Sequence, residues 1–194
     1  MTKYLTCIIK IALIFSSWSV NAASYQWKSI RFEHTKSWSI LTDRTVKGAK
    51  VLRLRHNIVD SYPLSVMLSF VPKSSHYADR FELKNVSENV MAANFSWPLI
   101  KRFSKESSKD NMLISFNEVL VGQQLSPGAM IMVPTPQKHI FISAQTFYVD
   151  KPNYYVVGSI ISRIDKGIMR HSTDYAQRID SAYQILKSVS VDYD

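Results

Sequence analysis

The chain has 194 residues, of which 46% are hydrophobic and 20% charged, with 24 Lys and Arg against 15 Asp and Glu and a net charge of +9. That length suits a single domain with a real core, and the basic balance directs attention to anionic partners. Cys7 is the only cysteine, which excludes a disulfide framework.

The first segment reads as an export signal. Lys3 and Lys10 supply positive charge, Ile8–Phe15 is mostly apolar, and Val20-Asn21-Ala22 offers small residues at the positions before a cut. The run breaks at Ser16 and Ser17, well short of the roughly twenty apolar residues of a spanning helix. Leu5-Thr6-Cys7 makes a poor lipidation site. The expectation is a cleaved signal over residues 1–22 and a single domain over 23–194. Removal of the signal leaves 172 residues, no cysteine, and 22 basic against 15 acidic side chains, a net +7. The bacterial periplasm is the expected compartment.

Strands follow. Tyr25–Glu33 and Ser37–Thr42 each carry a tryptophan, Trp27 and Trp38. Val51–Ile58 alternates Leu52 and Leu54 with Arg53 and Arg55, and Leu64–Val71 alternates Leu64, Val66, Leu68 and Phe70 with polar or softer residues; period two is the signature of a half-buried strand. From His76 to about Ser107 the period changes: Val86, Val90, Ala93, Trp97 and Ile100 recur every three or four positions and share one helical face. Pro98 should kink or split that helix, and residues 104–110 form a polar loop.

Strands then resume at Asn111–Val121, where Met112, Ile114 and Phe116 alternate, and at Ala129–Val133 after a turn at Ser126-Pro127-Gly128. Ile140–Val149 and Tyr154–Ser162 flank Asp150-Lys151-Pro152-Asn153, a hairpin turn by composition. The closing element is an amphipathic helix with Tyr175, Ile179, Ala182, Tyr183 and Leu186 in one stripe and Ser172, Thr173 or Asp174 as its cap. The expected fold class is α+β: an antiparallel sheet with a helical segment and a C-terminal amphipathic helix packed on it. This order, with the tryptophan strand Ser37-Trp38-Ser39-Ile40 and the tail Ile185-Leu186-Lys187-Ser188, resembles the PsbP/DcrB-like α/β/α sandwich family. The resemblance implies a fold and brings no catalytic residues.

Reactive motifs are scarce. His34, His56, His76, His139 and His171 never lie three or four apart, and Met130 and Met132 near Met112 are better read as core filler than as a copper site. No nucleophile elbow occurs, and the five glycines form neither a phosphate loop nor a dinucleotide fingerprint. No catalytic residue, metal site or cofactor is expected.

Basic groups are the remaining signal. Arg53 and Arg55 share a strand face, Lys101, Arg102 and Lys105 follow Trp97-Pro98-Leu99-Ile100, and Arg163, Lys166, Arg170 and His171 precede the last helix. The candidate partner-binding residues are Arg53, Arg55, Lys101, Arg102 and Lys105. They fit an acidic protein partner or an anionic envelope surface; export argues against nucleic acid. The expectation is a non-enzymatic periplasmic binding protein, in its sharpest form an immunity protein against an envelope-targeting toxin. The alternatives are a carrier of a small hydrophobic ligand and an envelope hydrolase with a site assembled from scattered residues.

Overall fold

A computed structural model describes residues 22–57, 64–103, 112–135, 137, 140–165 and 173–191, excluding the side chains of 96–103 and 174. The export run up to residue 21, the 104–110 loop with Lys105, Ser172, and the histidines at 139 and 171 lie outside the described residues. The order is β1 (Ala22–Trp27), β2 (Ile30–Thr35), β3 (Trp38–Val46), β4 (Ala49–His56), β5 (Leu64–Pro72), α1 (Glu88–Phe103), β6 (Leu113–Val121), β7 (Gln124–Pro134), β8 (Ile140–Asp150), β9 (Tyr154–Asp165), α2 (Thr173–Lys187) and β10 (Ser190–Val191). Strands dominate, so the architecture is mainly β, with two α-helices among the described residues on antiparallel sheets.

Seven strands form one antiparallel sheet in the order β3-β4-β5-β9-β8-β7-β6, and β1-β2-β10 form a smaller one. Because side chains alternate, each central strand feeds two cores. On one face Leu52, Leu54, Val66, Leu68, Phe70, Phe147, Val156 and Ile160 pack with Ile30 and Phe32 of the small sheet and with Ala182, Ile185 and Leu186 of α2. Burial of such aliphatic and aromatic side chains contributes about 1.5–3 kcal/mol each. Trp38 Nε1 donates to Ser181 Oγ at 3.2 Å and ties β3 to α2. On the other face Val71, Tyr148, Tyr155 and Val157 pack with Phe81 and with Met91 and Ala92 of α1. Ile131, Val133, Ile142, Ala144 and Ile161 continue this core, with Ala93 against them. Tyr148 is fully buried, and its hydroxyl donates to the Phe81 carbonyl at 2.8 Å. Burial pushes that phenol up from its ordinary pKa, so it stays a donor.

Gly158 sits mid-strand in β9 for a steric reason. A Cβ there would lie 2.5 Å from the Met67 carbonyl oxygen and 2.7 Å from Phe147 Cζ, so the Phe147 ring occupies the space a side chain would need. Lys47 and Gly48, both at positive φ, turn β3 into β4, the conformation that a two-residue hairpin loop favours.

Several expected boundaries move. Tyr25–Glu33 is two strands, because Lys28 takes φ 52° and folds Trp27 back onto Ile30. The helix expected from His76 begins only at Glu88; residues 73–87 are turns with one 3-10 turn at Ala78–Arg80. Ser87 caps α1, accepting on Oγ from the Val90 amide at 3.4 Å. Pro98 does not split the helix. Ser126-Pro127-Gly128 is not a turn: it lies within β7, paired with Val119, Glu118 and Asn117. Met112 packs beside Ile131 and Val133, whereas Met130 opposes Gln145 on the other face, so the three methionines do not converge. Ile114 and Phe116, which alternate as in a half-buried strand, are 45% and 57% exposed, and β6 is a sheet edge.

Candidate functional site

The face that carries α1 is only partly covered by it. α1 packs over β7, β8 and β9, which leaves the neighbouring surface of β3, β4 and β5 as one side of a groove. Ala49, Val51, Met67, Ser69 and Val71 form its floor, with Val46 and Arg44 at the β3 edge. Tyr77, Arg80, Phe81, Met91, Asn94 and Phe95 form the opposite wall, and the cavity measures about 360 Å³. Local structure explains the placement. The turns after β5 drop Phe81 onto Phe95 and Tyr155, with ring centroids 6.5 and 6.3 Å apart. They leave Arg80 stacked over the Tyr77 ring at 4.9 Å.

Arg53 and Arg55 lie on this same face of β4, beyond Val51 and opposite Thr42 and Ser39 of β3. Arg44 pairs with Val51, so Arg53 is its diagonal neighbour, at a separation of about 7–8 Å that long side chains span easily. The alternation with Leu52 and Leu54 places both arginines away from the main core, but they are half-buried rather than exposed. Half-burial suits a long side chain whose aliphatic stem covers apolar surface and whose charged end stays hydrated. Lys101 and Arg102 fall in the last turn of α1, where only the backbone is described, and Lys105 lies outside the described residues. The two sequence clusters are therefore not shown to merge. The structure adds two cations to this face instead, Arg44 diagonal to Arg53 and Arg80 in the lining of the same groove, and residue spacing gave no hint of it: Arg44 is a solitary base near a hairpin, and Arg80 depends on an irregular turn.

The charges around this face are unbalanced. Among the described residues no carboxylate pairs with Arg44, Arg53, Arg55 or Arg80, and no acidic residue is in the described lining of the groove. Three lysines elsewhere are ion-paired: Lys50 with Asp43, Lys73 with Asp150 and Lys84 with Glu82. The Lys50 cluster is a structural joint. Tyr25 Oη donates to Asp43 Oδ2 at 3.0 Å, and the Lys50 ammonium sits 5.9 and 5.7 Å from the Tyr25 and Trp27 ring centroids. It fastens β1 to the β3–β4 edge.

Other hollows have less to offer a ligand. One of about 760 Å³ between β2 and α2 is lined by Glu33, His34, Gln177, Asp180, Gln184 and Lys187, mixed charges that favour no sign of partner. Among the described residues no group of three His, Cys, Asp or Glu is placed to hold a metal ion, and no helix is long and apolar enough to cross a membrane.

No protein-family model and no curated protein sequence matches the chain. Among solved structures it is similar to a crystal structure of a protein from Bacteroides thetaiotaomicron, with 8% identity and a TM-score of 0.46. The match covers 90% of this chain and 50% of that one, so the chain spans half the length of that protein.

Proposed function

We propose that this is an exported, non-enzymatic binding protein of the bacterial periplasm that recognises an anionic partner through the arginine-bearing face of β3–β4. The observation that carries the reading is the set Arg44, Arg53, Arg55 and Arg80 on one side of the sheet, without a carboxylate partner among the described residues. Arginine is suited to the task because its planar fork meets carboxylates and phosphates bidentately and is weakly hydrated. An immunity role, in which this face covers an acidic surface of a toxin, is the most specific form of the reading. A helix on each face of the sheet supports the likeness to the PsbP/DcrB-like group. The apolar floor of the groove supports the second reading, a carrier of a hydrophobic ligand.

The test is capture from envelope extract with the mature protein and with the double variant Arg53→Glu, Arg55→Glu. A partner held by this face is retained by the former, lost by the latter, and released as salt shortens the range of attraction. A partner captured equally by both, at every salt concentration, refutes the reading.

A further inference from the structure

The groove and the unpaired cations lie side by side, and together they specify a ligand more narrowly than charge alone. We propose that the groove binds a single-chain amphiphile with an anionic head, of the fatty carboxylate class. The inference rests on the reading of this face as an anion-recognition surface and goes beyond it by naming what enters the groove.

The floor and wall are apolar: Ala49, Val51 and Val71 are joined by Phe81 and Phe95, and Met67 and Met91 add flexible, polarisable surface. A flat protein surface fills such a hollow poorly, whereas an alkyl chain follows it. At roughly 30 Å³ per water-sized group, a volume of about 360 Å³ accommodates about twelve such groups, the size of a dodecyl chain. Arg44 stands at one rim and Arg80 at the other, the latter held over Tyr77. Arg53, diagonal to Arg44, supplies a second guanidinium on the β3–β4 side. A carboxylate at that rim gains charge-assisted hydrogen bonds while its chain leaves water. A cationic head on the same chain meets the like charge of Arg44 and Arg80, the charged residues of the described lining, and a short anion gains no burial.

Calorimetric titration of the mature protein with laurate, dodecyltrimethylammonium and acetate separates these contributions. Laurate is expected to bind one to one, at least tenfold more tightly than dodecyltrimethylammonium, with no measurable acetate binding. Arg44→Glu is expected to weaken laurate at least tenfold. Val46→Glu, at a position 37% exposed on the groove edge, is expected to do the same without touching the core; circular dichroism confirms that both variants are folded. Equal binding of the two dodecyl amphiphiles, no laurate binding at all, or laurate binding indifferent to both substitutions overturns the proposal. If laurate fails while an acidic partner is still captured in an Arg53- and Arg55-dependent manner, the ligand class is wrong and the anion-recognition reading stands. If both fail, both are wrong.

Discussion

Leu186→Ala probes the helix that closes one side of the molecule. Leu186 is fully buried, in one cluster with Ile185, Ala182 and Leu54. Truncation removes three carbons, about 2.4 kcal/mol of transfer free energy at about 0.8 kcal/mol per methylene. The cavity left behind adds to this, because neighbours on a rigid sheet relax only partly, and comparable fully buried leucines lose about 2.7–5 kcal/mol. A loss of about 3–4 kcal/mol is expected. For a chain of this size it lowers the melting temperature by about 6–16 °C, at about 2–4 °C per kcal/mol. Urea unfolding of the protein, with the slope unchanged, reads it directly. Gln184→Ala, on the exposed side of the same helix, serves as control and should stay within about 0.5 kcal/mol. A loss below about 0.5 kcal/mol for Leu186→Ala, or an equal loss in the control, would refute the packing of α2 described above.

Two further predictions follow from named contacts. Gly158→Ala places a methyl group 2.5 Å from the Met67 carbonyl oxygen and 2.7 Å from the Phe147 ring; it should cost about 1–3 kcal/mol as overpacking, and a urea midpoint matching wild type would show that the ring does not lie there. The Lys50 joint predicts a pH dependence. The hydrogen bond with Lys50 lowers the Asp43 pKa, so its contribution is present above the unfolded value of about 3.9 and is lost as pH falls through the folded one. Burial works against the Lys50 ammonium, but hydrogen bonds to Asp43 and Tyr25 raise its pKa, so that contribution is present below about 10.4 and is lost as pH rises through the folded value. Asp43→Asn should flatten the urea-midpoint profile at both ends of the pH range, and superimposable profiles would contradict the assignment.

Much of the sheet was legible because alternation directly reports which side of a strand meets a core: Leu52, Leu54, Leu64, Val66, Leu68 and Phe70 all pack inward as their period requires. Alternation does not say where a strand lies in its sheet. Ile114 and Phe116 alternate as well as any core strand, yet β6 falls at an edge and leaves them exposed. Nor does period reveal backbone turns without Gly or Pro, which is why Lys28 at positive φ was invisible and two strands read as one. The candidate site was half legible for the same reason. Arg53 and Arg55 were evident as a pair because they lie on one strand, whereas Arg44 reaches them only through cross-strand register and Arg80 reaches the groove only through the turn at Ala78–Arg80.

The most direct test of the account is a side-chain NMR titration of the protein with a short polyglutamate peptide, following the arginine Nε–H signals. The account predicts that those of Arg44, Arg53, Arg55 and Arg80 move together, ahead of Arg31 and Arg178, and return as salt is added. Equal shifts of all these arginines, or shifts confined to Arg31 and Arg178, would contradict the assignment of the β3–β4 face as the recognition surface.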